Sequence, residues 1–331
     1  MTTYKAIRGL TIQTVAGDPD PLTTGDIWYS SITKKIRGAK LAAGAWSSGV
    51  NVNSARANLE GADGSSIPAG LIFAGRTTGS AGGGETEEYN GTAWSEQSDL
   101  NVDRWRGGGS GTQTAAMSFA GATAPTTHLK TAEQYDGSSW TEVADVSSNH
   151  VNTVGFGTTT ATLCVAGNNG TANVVIVEEW NGASWTEIAD INAAKNAMGA
   201  AGTSTAAIIS GGESPGARID DCEQWNGTSW TEVADLNEAR IHPGGAGTST
   251  SSITFGGEPA TPPHDSGRTE EWDNTSWTEV ADLSTQRARM GMGGTVSSAF
   301  CASGATSTAT AGVTATEEWD QSAAASSFTS S

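Results

Sequence analysis

TEEWDNTSWTEVADL (269–283) carries two tryptophans five residues apart, Trp272 and Trp277, behind a pair of glutamates. The same phrase returns along the chain. Its first aromatic stands at Tyr89, Tyr135, Trp180, Trp225, Trp272 and Trp319, 45 to 47 residues apart. In five copies a tryptophan follows five residues later, at Trp94, Trp140, Trp185, Trp230 and Trp277. Repetition at this period belongs to solenoids, propellers and arrays, whose units bury their apolar faces against neighbouring units. It points to a scaffold for binding or structure and supplies no catalytic apparatus.

One copy, AGTSTAAIISGGESPGARIDDCEQWNGTSWTEVADLNEAR (201–240), gives the fold of the unit. AAIISGG is a short apolar run closed by two glycines. DDCEQW and SWTEVADL are two further strands joined by NGTS, and Asn-Gly favours a hairpin because both residues tolerate positive φ. The Gly-rich stretch before GTST forms a fourth, innermost strand, where a missing side chain lets backbones crowd an axis. Four strands per repeat make a propeller blade.

This pattern resembles the kelch repeat, a strand ending in double glycine followed by a Tyr or Trp and then a Trp on the next strand. Gly211-Gly212 with Trp225 and Trp230, and Gly256-Gly257 with Trp272 and Trp277, match it best. Elsewhere the second glycine is lost, as at Gly75, Gly121, Gly167 and Gly304. The resemblance covers roughly residues 41–320 and implies an all-β, kelch-like β-propeller.

Blade number follows from counting both halves of the repeat. Six glycine-ended strands occur, LIFAG, AMSFAG, ATLCVAG, AAIISGG, SSITFGG and AFCASG. The sixth copy reaches Trp319 but has no second tryptophan, whereas AWSSGVNVNSAR (45–56) reads like the outer strand of the fourth. Trp46 is therefore expected to close a six-bladed ring over residues 41–321, leaving no long sheet edge. Removing residues 1–53 should break that closure, and removing 1–38 should not.

Ten residues after each outer-strand tryptophan stand Arg56, Arg104, His150, Lys195, Arg240 and Arg287. Two roles fit a basic position kept in every blade. These groups form salt bridges to Glu87, Glu133, Glu178, Glu223, Glu270 and Glu317, or they make an anion-binding rim; Trp105 beside it either stacks on a sugar or packs at a blade boundary. The eleven Lys and Arg residues beyond residue 40 fall in or beside the two loop types that emerge on one side of a blade. One face should thus be charged and loop-rich, the other nearly uncharged, and in kelch domains the loop-rich face is often the partner-binding one.

The first forty residues differ in kind. They hold six Lys and Arg against three Asp, while residues 41–331 hold eleven basic against thirty-three acidic residues. Such a split marks residues 1–40 as an attachment segment that docks elsewhere or folds back on its own acidic propeller. GDIWYSSITKKIRG (25–38) reads as a β-hairpin, with Trp28, Tyr29, Lys34, Lys35 and Arg37 as docking residues. Residues 322–331 read as a C-terminal tail.

A segment containing GDIWY, a Lys/Arg-bearing strand, AAGAWSSGVNVNSAR and kelch-like blades resembles virion proteins of marine tailed bacteriophages, found as tail fibres, appendages or capsid decorations. The resemblance implies a non-enzymatic virion protein whose amino-terminal segment binds other virion proteins. Host-surface contact and self-association on the particle stay open. A cellular glycan- or protein-binding adhesion module is the alternative.

Other functions meet obstacles. Sialidase-type propellers need S-x-D-x-G-x-T-W turns, and SSWTE and TSWTE lack the aspartate and glycine. Copper oxidases need converging His, Tyr and Cys ligands, whereas His128, His150, His242 and His264 fall in separate repeats. Adjacent acids such as Glu270-Glu271 point to opposite faces of a strand, so a pair cannot chelate calcium. No cofactor or metal is expected. The net charge of −19 repels nucleic-acid phosphates. No apolar run approaches the ~18 residues of a membrane span. MTTYKAIRGL has no secretory pattern, which is compatible with a virion location. Cys164, Cys222 and Cys301 lack CxxC spacing and are expected as buried free thiols.

Overall fold

The computed structural model describes residues 12–23, 25–77, 81–124, 127–261, 265–307, 309 and 311–327. His264 and the first eleven residues of the attachment segment lie outside them. The described residues form strands and turns, with no helix long and apolar enough to cross a membrane. Two units divide the chain, Ala45–Asp320 and the paired chain ends Met1–Gly44 with Gln321–Ser331.

The larger unit is a propeller-like all-β fold built from repeated four-stranded antiparallel sheets. In the fourth repeat Gly199–Thr203, Ala206–Ser214, Ala217–Trp225 and Trp230–Val233 pair side by side in chain order. The first sheet starts at Glu60–Gly61 and the fifth ends at Trp277–Glu279, and the sheets between keep the same order. The sixth combines Gly291–Thr295, Ser298–Ala302 and Thr316–Asp320 with Ala45–Ser48, placing Trp46 opposite Trp319. First strands of successive sheets touch in a closed cycle. Glycine is required where they meet: a Cβ at Gly109 would lie 2.5 Å from the Gly61 carbonyl oxygen, and one at Gly245 would lie 2.4 Å from that of Ala200.

The two tryptophans of a repeat have different tasks. On the third strand, Trp180, Trp225, Trp272 and Trp319 donate their indole N–H to carbonyls of their own sheet's first hairpin, at 2.8 to 3.1 Å. On the fourth, Trp94, Trp185 and Trp277 reach back to carbonyls of the chain that leaves the preceding sheet, Val50, Ala144 and Ala234. The ring of this second tryptophan also packs on a phenylalanine of that sheet, as Trp140 does on Phe73 and Trp185 on Phe119, with centroids 4.9 and 5.1 Å apart. An aromatic with an apolar body and one donor suits a sheet boundary where the outer rim is wet.

Each second strand carries two successive left-handed residues, just past its end or, in the third and fourth sheets, as a bulge inside it. Both are glycine at 211–212 and 256–257; elsewhere the pairs are Ala74-Gly75, Ala120-Gly121, Ala166-Gly167 and Ser303-Gly304. The glycine that is missing is therefore the first of the pair, a correction to the reading above. The second cannot change: a Cβ at Gly121 would stand 2.8 Å from the Trp105 carbonyl oxygen. Cys164, Cys222 and Cys301 are buried free thiols, and burial pushes the last two up to about 12.

In the smaller unit Gln13–Val15 runs parallel to Ile27–Ser30, which pairs antiparallel with Lys35–Leu41. Ala323–Ser327 then pairs with Lys35–Leu41 on its other side. Ala323–Ser327 is thus no mere tail, residues 328–331 lie outside the described residues, and the unit boundaries fall at 44/45 and 320/321 instead of 40/41 and 321/322. The alanine-serine run carries no alternation to announce a strand; it pairs because Lys35–Leu41 offers an open edge.

Candidate functional site

The six basic residues, expected either as salt-bridge partners or as a rim, are buried. Arg56, Arg104, His150, Arg240 and Arg287 are 0% exposed and Lys195 is 1% exposed. Each pairs with the third-strand glutamate of the sheet it enters. The distances are 2.8 Å for Arg56–Glu87 and Arg104–Glu133, 2.9 Å for Lys195–Glu223, 2.7 Å for Arg287–Glu317 and 3.2 Å for His150–Glu178, and Arg240 pairs likewise with Glu270. An anion rim is excluded for them because their charge is already matched and out of water.

These glutamates do more than neutralise a cation. Glu133 also accepts the Asn101 amide at 2.7 Å, Asn101 Nδ2 at 2.9 Å and the Val102 amide at 3.1 Å. Glu87, Glu223 and Glu270 hold Asn53, Asn192 and Asn237 in the same way; Glu178 and Glu317 hold Ser147 and Ser284. Every connection between sheets is therefore clasped by one carboxylate. The sequence signal is an Asn or Ser three residues before the basic one, which the reading above passed over. Burial alone would raise Glu178, but hydrogen bonds from His150 and Ser147 hold it below the usual carboxylate range.

Two positions past each clasp cation the chain turns onto the axis. Asn58, Arg106, Asn152, Ala197, His242 and Arg289 all adopt φ between 54 and 61°. Their backbones form a ring of hydrogen bonds. The amides of Arg106, Asn152, Ala197, His242 and Arg289 each donate to the carbonyl of the preceding member at 2.7 to 3.2 Å, and Asn58 N closes the ring on Arg289 O at 2.8 Å. Left-handed backbone costs roughly 1–2 kcal/mol for a residue with a Cβ, and among the described residues six of the twelve that carry it stand in this ring.

A cavity of about 90 Å³ opens inside the ring, lined by Asn58, Glu60, Arg106, Asn152, His242 and Arg289 among others. Arg106 Nε donates to Asn58 Oδ1 at 3.2 Å, and Arg289 Nε lies 2.8 Å from Glu258. The Arg76 and Arg106 guanidinium carbons lie 4.2 and 4.1 Å from the centre of the Trp105 ring, within cation–π range. Burial lowers Arg106 to about 10, helped by Arg289 and Arg76. Burial and then Arg289, Arg106 and Arg218 hold His242 well below its ordinary value, so it stays neutral. Trp105 itself is 4% exposed. It is a buried plate between charged neighbours, which agrees with the packed reading and not with an exposed stacking aromatic.

Two acids sit along the same axis. Glu60 stands where the other first strands have Gly108, Val154, Gly199, Gly244 and Gly291. It is 3% exposed, and Ser118 Oγ donates to it at 2.5 Å. Burial raises it to about 8, against the nearby Arg104, Ser118 and the Gly107 amide and with help from Glu133. Burial likewise raises Asp63 to about 7, although the Gly111 and Gly157 amides donate to it. A carboxyl protonated when folded and ionised when unfolded makes stability fall as pH rises between the two pKa values, here from about 4.5 to about 8 for Glu60. The slope is roughly 1.4 kcal/mol per pH unit for one proton. Glu60→Gln should therefore raise the melting temperature at pH 8 and change it little at pH 4.5; an equal shift at both would show that Glu60 is already ionised in the fold.

The docking residues divide. Trp28 is 2% exposed, and Arg37 pairs with Asp18 at 2.7 Å, so both serve their own unit. Lys34 and Lys35 are exposed and Tyr29 is half-buried. The register places Tyr29 opposite Ile36 and Ile27 opposite Gly38, so Ile27, Tyr29 and Ile36 share one face, where both isoleucines are exposed. Sequence reading missed the two isoleucines because they alternate as core residues would. Among the described residues no three His, Cys, Asp or Glu side chains are grouped to hold a metal.

No family model and no curated protein matches the chain. Among solved structures, the bacterial protein YjhT superposes with a TM-score of 0.68 at 13% identity, covering 84% of this chain and 99% of that one. At that identity the likeness establishes a propeller-like fold and nothing about activity.

Proposed function

We propose that this is a non-enzymatic bacteriophage virion protein, a six-bladed kelch-like propeller displayed on the tail or capsid and attached through its smaller unit. The six repeated sheets and the ring of six backbone hydrogen bonds support the blade number. The observation that carries attachment is the smaller sheet, built from both chain ends, with Ile27 and Ile36 exposed beside Tyr29 and with Lys34 and Lys35 at its turn. Apolar side chains next to lysines fit another virion protein with an acidic, partly apolar surface. A cellular glycan- or protein-binding module is the second reading, favoured by the cationic axial mouth.

The test is electron microscopy of particles from an infected culture, labelled with antibody against residues 54–320, together with Ile27→Asp/Ile36→Asp protein added to particles lacking the native copy. Labelled appendages that the double variant fails to restore are the expected result. Unlabelled particles beside a labelled host envelope would transfer the protein to the cellular reading.

A further inference from the structure

The propeller's cations are not spread evenly. Of the eleven Lys and Arg residues beyond residue 40, Arg56, Arg104, Lys195, Arg240 and Arg287 are consumed by the clasps. Lys130 bonds the Ser147 carbonyl, and Arg268 lies beside Glu238 and Glu279. The remaining four, Arg76, Arg106, Arg218 and Arg289, act on one another or on His242 at the axial mouth. At the mouth one acid, Glu258, answers them, 2.8 Å from Arg289 and 3.6 Å from Arg218; Glu60 and Asp63 also line the cavity, where burial favours their neutral forms. A chain with thirty-three acids beyond residue 40 has thus collected a surplus of positive charge at a single recess, where low-dielectric walls focus its field.

The donors at that recess are only partly used. Arg106 commits Nε to Asn58, Arg289 Nε lies beside Glu258 without hydrogen-bond geometry, and among the described residues the terminal nitrogens of both make no hydrogen bond to protein. Asn58 is 4% exposed, lines the cavity, and its Nδ2 has no partner. A buried amide donor without an acceptor costs on the order of 1–3 kcal/mol, and here it stands beside two guanidinium forks.

We propose that the axial cavity is a binding site for a small oxyanion, a carboxylate or phosphate group, held by the terminal nitrogens of Arg106 and Arg289 and by Asn58 Nδ2. Arginine forks match the two oxygens of such a group and make strong, directional hydrogen bonds to it. A volume of about 90 Å³ admits the charged group and leaves the rest of a larger ligand outside the ring. Neutral His242 contacts it without adding charge, and the Trp105 plate keeps Arg106 and Arg76 from swinging away. This site lies on the propeller and is independent of how the protein is attached to a particle.

Calorimetric titration of the full chain with inorganic phosphate and with acetate, at fixed low chloride, reads the site directly. Saturable binding is expected, weakened at least about tenfold by Arg106→Gln or Arg289→Gln, the loss typical of one charge-assisted pair. Arg268→Gln should leave it unchanged. Saturation by one titrant alone identifies the oxyanion class. Where a variant melts early, slower modification of Arg106 and Arg289 by an arginine-specific dicarbonyl in the presence of the anion, read by mass spectrometry of the native chain, takes its place. Absence of saturation by both anions, or affinities unchanged in both glutamine variants, overturns the proposal.

Discussion

A chain that begins at residue 54 is expected to lose the cooperative melting of the propeller, while a chain of residues 45–320 keeps it. The nine residues that distinguish these amino termini carry the last strand of the sixth sheet. Ala45–Ser48 pairs with Thr316–Asp320, and Trp46 donates to Thr269 Oγ1 at 2.9 Å while its ring meets Phe255 and Trp319 at 4.8 and 5.5 Å. Past the strand, Gly49 and Val52 amides donate to Thr316 and Thr314, and Asn53 gives Glu87 two of its hydrogen bonds. Trp46 is half-buried, so its loss costs somewhat less than the roughly 3–5 kcal/mol of a fully buried tryptophan, still a large share of a domain's ~5–15 kcal/mol. Here an unpaired edge and a half-satisfied buried carboxylate are added. The shorter cut also needs residues 321–331 removed, because Ala323–Ser327 would lose its partner Lys35–Leu41; for the same reason truncation at residue 38, inside that strand, is the wrong control. Calorimetry and tryptophan fluorescence on 54–320 and 45–320 decide the matter. Equal transitions in both would mean that the ring closes without Trp46.

What was legible in the sequence follows from what repetition records. The tryptophan pairs, the glycine-ended strands and the circular use of Trp46 recur or complement one another, so register alone exposes them. Depth does not recur as a letter. Arg56, Arg104, His150, Lys195, Arg240 and Arg287 form an evident column, yet only burial tells a clasp from a rim. The axial residues were invisible for the opposite reason. Asn58, Arg106, Asn152, Ala197, His242 and Arg289 share no chemistry, only a left-handed backbone and a bond to the preceding sheet. Glu60 escaped because the first repeat lacks the GTST-type turn that fixes alignment elsewhere, although a lone carboxylate in a column of four glycines and Val154 is a sequence signal. The strand at 323–327 has neither alternation nor a turn, and its pairing depends on an edge some 285 residues away.

Glu133→Ala is expected to cost about 3–5 kcal/mol, the loss that follows when one partner of a buried pair is removed. The interest lies in the comparison with Arg104→Met and with Arg104→Met/Glu133→Leu. An ordinary buried ion pair replaced by two apolar side chains often regains full stability, since neither charge need then be desolvated. This pair should not behave so. With Arg104 gone, Glu133 keeps the Asn101 amide, Asn101 Nδ2 and the Val102 amide as donors. With Glu133 gone, those three donors and a guanidinium at 0% exposure lose their acceptor together, although Arg104 still reaches the Ala120 and Thr131 carbonyls. The apolar double variant removes the orphaned charge but leaves the connection between the first two sheets unheld. Urea unfolding should therefore rank Arg104→Met above the double variant and the double variant at or slightly above Glu133→Ala. If the double variant returned to wild-type stability, the carboxylate would be no more than a counter-ion, and the repeated Asn or Ser three residues before each basic group would be without a role in closing the ring.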